Sequence, residues 1–363
     1  GVTAVNKTVN KTANKTADQT SVGSTIAKVG APGRKARSGR LVQGLVRRPS
    51  LGMLVILGLL IVIFSIMEPS AFLGSYNLRS IALSASVVGV MAVGQTFVLA
   101  TGGIDLSLGS VLVFGTVVSA KVMAGMGGTT AGWGAVLVGT AVCILASALW
   151  GLVSGLLVAV LRVPPLIATL GTLGMALGAA QIVSGGLDIR AVPLVMSQQI
   201  GYENVAGIPL LVVIAVIVAA LCGLVLWQTG FGVHTKAIGS NPEGAVRAGL
   251  SVRRHLITIY VLSGALAGVA GVMSLAEFST TTIGGHTSDN LTTIAGAVLG
   301  GTSLFGGIAT MLGTVVGILV PVTLASGFVI VGVQPFWQTF AVGAVLVGAV
   351  YVDQLRRGAQ NRL

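Results

Sequence analysis

The feature that most constrains this fold is the near absence of charge over residues 51–352. These 302 positions carry seven acidic and eight basic side chains, about 5%, whereas a soluble domain carries about a quarter. So few charges cannot cover a water-facing surface. The sequence therefore predicts an all-α polytopic membrane protein. It excludes a soluble enzyme, a nucleic-acid-binding protein and a disordered chain for everything beyond residue 50.

The formal net charge of +12 is concentrated in three places. Ten of the 21 Lys and Arg residues precede residue 49, four lie at 236–254 and three follow residue 355. Loops on the cytoplasmic side of a membrane carry such an excess of basic residues. We therefore expect cytoplasmic N- and C-termini, contact of the basic stretches with membrane lipid, and no nucleic acid as partner.

The chain divides into three parts by composition. Residues 1–50 repeat the triplet NKT and then become basic, which predicts a disordered basic cytoplasmic tail. Residues 51–357 form the predicted transmembrane domain, and residues 358–363 a cytoplasmic end. The two cysteines and three histidines are scattered, so no disulfide and no metal site is expected.

A transmembrane helix needs about 20 predominantly apolar residues. On that criterion the sequence predicts about ten spans, with eight as the alternative if 80–126 and 291–331 each contain a re-entrant pair. The predicted spans are 51–67, 80–100, 108–126, 132–160, 166–184, 208–227, 256–275, 291–311, 312–331 and 336–352.

The longest polar stretch after the tail, residues 228–255, contains GSNPEGAVRAGL. Asn241 suits the N-cap of a helix, Pro242 its first turn and Gly249 the position after its end. A short cytoplasmic helix is therefore predicted, either as a docking site for a partner or as an interfacial helix held by lipid headgroups.

Glycine pairs predict two breaks within apolar segments, GGIDLSLGS at 102–110 and GGTSLFGG at 300–307. Asp105 either caps the helix that restarts after the first break or binds substrate hydroxyls. A sparsely charged pathway lined by Gly, Ser, Thr and Gln suits a neutral, hydroxyl-rich solute. The candidate pathway residues are Gln95, Gly102, Gly103, Asp105, Ser107, Thr169, Thr172, Thr302 and Ser303.

The small and hydroxyl-bearing residues of the stretch PPLIATLGTLGMALG can be interpreted either as pathway residues or as packing residues. Thr169 and Thr172 present hydroxyls on one face, but Gly171, Gly174 and Gly178 are more simply explained by close packing against a neighbouring helix.

No P-loop sequence is present, so the chain is not expected to bind ATP itself.

The chain contains six motifs in the order GGIDLSLGS, PPLIATLGTLGMALG, the SGG at 184–186, AIGSNPEGAVRAGL, AGAVLGGTSLFGG and GVQPFWQTF. In order and spacing they resemble the permease subunits of bacterial ABC importers for monosaccharides, of the ribose, xylose, galactose and autoinducer-2 type. The resemblance runs from about residue 50 to residue 357. It implies a multi-pass subunit of the bacterial inner membrane that is not an enzyme.

The same resemblance implies partners and a coupling segment. It implies a second permease copy, identical or related, an ATP-binding subunit with two fused nucleotide domains, and an extracytoplasmic sugar-binding protein. The chain would carry no cofactor, since the partner binds ATP. Coupling to the ATPase would fall on Asn241, Pro242, Glu243, Ala245 and Gly249.

Three other functions remain open on the residues alone. An ATP-independent secondary carrier for sugar leaves the capped cytoplasmic helix unexplained. A membrane-embedded transferase needs a His or acidic cluster at one interface, which the sequence does not supply. An ABC permease for nucleosides or branched amino acids differs from the favoured function in cargo only.

Overall fold

The computed structural model describes residues 49–360. The predicted tail, apart from residues 49–50, and the last three residues lie outside this range. In chain order the α-helices are α1 (Pro49–Met67), α2 (Pro69–Phe72), α3 (Ser75–Ala100), α4 (Leu108–Gly125), α5 (Trp133–Ala159), α6 (Pro165–Ser184), α7 (Leu194–Met196), α8 (Leu210–Gln228), α9 (Gly230–Ser240), α10 (Pro242–Arg247), α11 (Val252–Phe278), α12 (Asp289–Leu299), α13 (Met311–Gly317), α14 (Leu319–Ile330) and α15 (Pro335–Gln360).

Secondary structure other than α-helix is limited to a few short segments in the described range. A 3₁₀ turn covers Gly128–Thr130 and a π-helical turn covers Ser197–Gly201. The strands β1 (Asn204–Val205) and β2 (Ile208–Pro209) pair antiparallel in a single short hairpin. The predicted all-α class is therefore confirmed for residues 49–360.

Seven helical segments between residues 49 and 360 are long and apolar enough to cross a membrane. The longest have 27 residues, about 40 Å at 1.5 Å per residue, against a hydrocarbon core of about 30 Å. Two further apolar stretches, Gly52–Met67 and Phe336–Tyr351, are shorter. The polytopic architecture is confirmed, and the count of ten spans stays a prediction. The seven are α3, α4, α5, α6, α8, α11 and the combined segment Met311–Ile330.

The predicted span at 291–311 is not one continuous helix. Helix α12 ends at Leu299 after 11 residues, about 16 Å, and residues 300–310 are non-helical. Gly301, Gly306 and Gly307 there adopt positive φ angles of 94°, 82° and 82°, which residues with a Cβ rarely adopt. The glycines that the sequence places at this break therefore end the helix halfway through the predicted span.

The next predicted span, 312–331, is also interrupted. It is divided between α13 and α14 at Ile318. Pro321 stands at the start of α14 and has no N–H to donate to the carbonyl of Gly317 four residues earlier. The proline accounts for the interruption, and the two pieces still form one apolar segment of 20 residues.

Helix α3 lies at the centre of the bundle. Nearly every residue from Ala85 to Ala100 is buried, and α8, α11, α12 and α13 pack around it. At Gly94 an added Cβ would lie 3.1 Å from the Ser263 Cα on α11, so the two backbones run in close contact. A buried helix carrying this many small residues can be enclosed on all sides by others.

Helices α5 and α11 form the most extensive helix pair, and glycine permits their close approach. A Cβ added at Gly264 would lie 2.5 Å from the Ser147 carbonyl oxygen and 3.0 Å from the Gly151 backbone nitrogen. At Gly151 an added Cβ would overlap the carbonyl oxygen of Tyr260. The pair is thus held by backbone-to-backbone packing, which no larger residue at these positions allows.

The glycines of α6 do not do what the sequence suggested. Among the described residues nothing lies within 4 Å of a Cβ built on Gly171, Gly174 or Gly178. The interpretation that they pack against a neighbouring helix of the same chain is therefore wrong for residues 49–360. Repeated glycine allows close packing but does not determine which face of the helix is covered.

Candidate functional site

Helix α10 is the short helix predicted in the polar stretch, and its ends are built as expected. The Gly244 backbone N–H donates to the Asn241 side-chain oxygen at 2.9 Å. Pro242 occupies the first turn together with Glu243, and Gly249 follows the helix with a φ of +83°. The capping prediction is confirmed, and the six-residue helix needs these caps because it is too short to be stable alone.

Helix α10 carries an exposed, charged face. Ala245 is buried against the rest of the chain, whereas the side chains of Glu243 and Arg247 are 86% and 82% exposed. These two charges lie 3.7 Å apart, and Val246 beside them is also exposed. Because exposed ion pairs contribute at most about 1 kcal/mol to stability, this face is not needed to hold the helix itself.

Helix α9 precedes α10 and leads into the bundle. A Cβ added at Gly239 would overlap the Ala100 carbonyl oxygen, and it would lie 2.6 Å from the Gly307 backbone nitrogen. That Gly307 N–H donates to the same Ala100 oxygen at 2.9 Å. The end of α9 is thus in direct backbone contact with the end of α3 and with the loop after α12.

A second set of contacts completes this packing. A Cβ added at Gly306 would lie 2.7 Å from the Gly239 carbonyl oxygen and 2.8 Å from the Gly102 backbone nitrogen. Both glycine breaks predicted from the sequence therefore contact the end of α9, the helix that directly precedes α10. We call this set of residues the glycine junction: Ala100, Gly102, Gly239, Gly306 and Gly307.

Asp105 lies in the first break, buried at 1% exposure. Its Oδ1 accepts hydrogen bonds from the Ser107 backbone N–H at 2.9 Å and the Ser107 hydroxyl at 2.6 Å. Burial raises the pKa of Asp105, and the two bonds from Ser107 act in the lowering direction. The N-cap residue of α4 is Ser107 itself, so Asp105 satisfies a backbone donor just before the helix begins.

Gln95 on α3 supports the same turn. In the amide orientation that pairs donors with acceptors, its nitrogen donates to the Asp105 carbonyl at 3.0 Å. Its oxygen accepts from the Asp105 backbone N–H at 3.3 Å. Gln95 is fully buried, so these bonds replace the water contacts that both groups lose on burial. The structure brings Gln95, Asp105 and Ser107 together as a hydrogen-bonded turn.

The remaining pathway candidates are also engaged with their own chain. Thr169 donates to the Ile104 carbonyl at 3.1 Å, and Ser154 donates to Thr172 at 3.0 Å. Thr302 accepts from the Thr310 N–H at 3.2 Å, and the Ser303 hydroxyl oxygen accepts from the Phe305 N–H at 3.3 Å. Gly103 is buried beneath the Tyr260 hydroxyl. Their part in a pathway stays a prediction.

We expect Asp105→Asn to preserve folding and at least half of solute uptake. The asparagine oxygen accepts the same two bonds from Ser107, and the buried amide needs no charge. Asp105→Leu leaves both donors unpaired, at a cost of about 1–3 kcal/mol each. The measurement is the amount of folded chain in membranes together with uptake. An Asn variant that folds normally but loses uptake more than tenfold would make Asp105 a pathway ligand instead.

A cavity of about 780 Å³ lies beside the N-terminal half of α3, away from the end of α3 that joins the glycine junction. From Val88, the lining residue of α3 nearest to the glycine junction, to Ala100 the helix rises about 18 Å, which separates the cavity from the junction. None of the pathway candidates predicted from sequence lines it. Its polar lining side chains come from five segments: Ser70, Tyr76, Asn77, Ser80, Ser84, Ser288, Asp289, Thr292, Ser326, Gln338 and Thr339.

One pattern in the sequence indicates this cavity, although no site was predicted from it. Asn77, Ser80, Ser84 and Val88 follow one another at spacings of three and four residues, so they share one face of α3. A polar stripe on an otherwise apolar span faces either water or another polar surface. The side chains that oppose it come from 288–292, 321–330 and 338–342, and their proximity could not be inferred from spacing.

No metal centre can be built from the described residues. Within residues 49–360 no group of three His, Cys, Asp or Glu side chains is placed to hold an ion. His286 contacts Asp289 at 2.8 Å and Ser274 at 2.9 Å, which is a hydrogen-bonded chain. The polar groups that line the cavity are hydroxyls, amides and the carboxylate of Asp289.

Comparison with known proteins places these features in a wider context. A family model described as the permease component of branched-chain amino acid transport systems matches residues 77–350. The match spans nearly all of α3 to most of α15, and it includes the glycine junction, α10 and the cavity lining from Asn77 onward. No solved structure matches the chain.

Curated relatives resemble the chain over most of its length. The L-arabinose ABC transporter permease protein of Azospirillum brasilense is 33% identical over 333 residues, 92% of this chain and 94% of that protein. The ribose import permease protein of Bacillus subtilis is 34% identical over 84% of this chain and 92% of its own length. The fructose import permease protein of Rhizobium meliloti is 31% identical over 83% of this chain and 84% of its own.

Proposed function

The chain belongs to the family of permease components of branched-chain amino acid transport systems, and we propose that it is the transmembrane subunit of an ATP-driven importer for a neutral monosaccharide. The observation that carries the proposal is the near full-length similarity to permeases for L-arabinose, ribose and fructose. The basic clusters at both ends support a bacterial inner-membrane protein with cytoplasmic termini.

The lining of the cavity favours a sugar over an amino acid as cargo. Among its lining residues Asp289 is the one charged side chain, and hydroxyl and amide groups make up the rest of the polar surface. An amino acid carries a carboxylate that is usually paired with a basic side chain, and the lining described here contains no Lys, Arg or His. A monosaccharide carries hydroxyls that donate to oxygen and accept from N–H and O–H groups. The available groups fit the second class.

The partners follow from the same proposal. ATP would be bound and hydrolysed by a separate subunit with two fused nucleotide domains. The sugar would arrive on an extracytoplasmic binding protein, and a second permease copy would complete the pathway. The exposed face of α10, with Glu243 and Arg247 outward, is the surface that we assign to the ATPase.

The glycine junction gives this assignment a mechanical route. Helix α9 continues directly into α10, so a displacement of α10 by the ATPase reaches Gly239 within a few residues. Gly239 contacts the backbone at Ala100 and at Gly307. Since these contacts leave no space to absorb a shift, movement of α9 must displace the end of α3 or the loop after α12.

We expect Glu243→Ala to weaken ATPase capture and to lower sugar uptake by about tenfold. The change removes an exposed charge from α10 without touching Asn241, so the capped helix stays folded. The measurement is recovery of a P-loop ATPase with the tagged chain from its native membrane in mild detergent, beside uptake in the same cells.

The matched control is Glu203→Ala, which removes an exposed acid near the hairpin, more than 30 residues before α10. Its capture of the ATPase is expected to equal that of the unaltered chain. Recovery of the chain without an ATPase, while it still transports sugar in ATP-free vesicles, would replace the importer by a secondary carrier.

A further inference from the structure

We propose that the cavity beside the N-terminal half of α3 binds a neutral polyhydroxylated solute, and that Asp289 is the residue that recognises its hydroxyls. The inference rests on the proposed function, because it names the site for the class of cargo assigned there. It goes beyond that function by assigning a residue and by placing the site about 18 Å from the glycine junction, measured along α3 from Val88 to Ala100.

The cavity has the size and composition for such a solute. Its volume of about 780 Å³ lies within the 300–1,000 Å³ usual for small-molecule sites. Ser80 and Ser84 line one wall from α3, Thr292 another from α12, and Gln338 and Thr339 a third from α15. Groups that converge from three helices can bind several hydroxyls of one small molecule at once.

Asp289 is the charged group in this lining, and its carboxylate is held in place. Its Oδ2 contacts the His286 Nδ1 at 2.8 Å, and the His286 Nε2 contacts the Ser274 hydroxyl at 2.9 Å. The side chain of Asp289 retains 17% exposure, while that of His286 retains 9%. The histidine therefore positions the carboxylate from the buried side and leaves the rest of it open to the cavity.

The chemistry of a fixed carboxylate suits adjacent sugar hydroxyls. An ionised carboxylate only accepts hydrogen bonds, and bonds to it are about twice as strong as those between neutral groups. His286 is a positioning residue here, since it reaches the solute through Asp289.

The first test uses the tagged chain alone, without ATP or ATPase, with Cys143 and Cys222 replaced by alanine. Ser84→Cys places a thiol in the cavity wall, where a membrane-impermeant thiol reagent reports access from water. L-arabinose, D-ribose and D-fructose are added up to 100 mM, with L-leucine as the comparison solute. We expect at least one sugar to slow labelling by fivefold or more and leucine to leave the rate unchanged.

The second test adds Asp289→Asn to the same chain. We expect the sugar concentration that gives half-maximal protection to rise at least tenfold, with the labelling rate in the absence of sugar unchanged. His286→Gln should raise it by a smaller factor. The matched control is Asp188→Asn, an exposed acid that accepts from the Ile283 N–H and does not line the cavity. Asp188→Asn should leave the sugar concentration for half-maximal protection unchanged.

Several outcomes would overturn the proposal. Labelling by lipid-soluble reagents alone would show a crevice filled by acyl chains. Equal rates with and without every sugar would show a water-filled cavity that does not bind them, and protection unchanged by Asp289→Asn would remove that residue. Because these assays omit the ATPase, failure here leaves the importer proposal standing. Failure of ATPase capture would equally leave a measured sugar site intact.

Discussion

Replacing Gly239 with valine is expected to reduce sugar uptake to below about 1% of that of the unaltered chain. A Cβ there overlaps the Ala100 carbonyl oxygen and lies 2.6 Å from the Gly307 nitrogen, and both are backbone atoms that cannot rotate away. Overpacking of a well-packed site typically costs about 1–3 kcal/mol and shifts backbone. The shift falls on the contact through which α9 meets both glycine breaks, so transport is lost with it.

The measurement separates coupling from folding. Uptake, ATP hydrolysis by the assembled importer and the amount of folded chain are determined for Gly239→Val and for Gly239→Ala. We expect the alanine variant to fold and hydrolyse ATP while transporting at least tenfold less, because the smaller side chain still separates the backbones.

The control for this pair is Gly230→Val, at the opposite end of the same helix. Nothing among the described residues lies within 4 Å of a Cβ at Gly230, and the position is exposed. Uptake within twofold of normal is expected there. Normal uptake by Gly239→Val would mean that the glycine junction transmits nothing.

Much of the helical framework could be predicted because composition determines it. An apolar run of about 20 residues has to satisfy its backbone groups internally, and helix formation does so within one segment. The end signals of α10 were equally local, since Asn241, Pro242 and Gly249 act within two turns of one another. Local physics of this kind needs no knowledge of distant segments.

The meeting of the glycine breaks could not be predicted in the same way. Gly102 and Gly306 are about 200 residues apart, and each glycine pair indicates only that a helix ends there. Gly239 lies in a third segment and carries no signal beyond being small. Their contact depends on how α3, α9 and α12 pack, which depends on the whole bundle.

The candidate pathway residues illustrate a second limit of the sequence. Gln95 and Asp105 are polar groups in apolar surroundings, which is equally expected of a solute ligand and of a buried turn. The structure gives them hydrogen-bond partners in their own chain. Asp289 had no such motif around it, and its place in the cavity depends on His286 and on four other helices, α2, α3, α14 and α15.

The second large effect is expected at the contact between α5 and α11. There, Gly264→Leu should prevent most of the protein molecules from folding. An added Cβ lies 2.5 Å from the Ser147 carbonyl oxygen and 3.0 Å from the Gly151 Cα, and the rest of a leucine side chain has no space beyond it. Separating this pair loses packing along two helices of 27 residues each. We expect the thermal unfolding midpoint of the detergent-solubilised chain to fall by about 10 °C, if folded chain is recovered.

Gly174→Leu on α6 is the matched control, because the same side chain is added to a glycine inside another long apolar helix. Nothing among the described residues lies within 4 Å of its Cβ, and leucine is a better helix former than glycine by about 0.8 kcal/mol. Its unfolding midpoint should therefore stay within about 2 °C of that of the unaltered chain, or rise. Equal midpoints for the Gly264 and Gly174 variants would contradict the conclusion that backbone contact between α5 and α11 holds the bundle together.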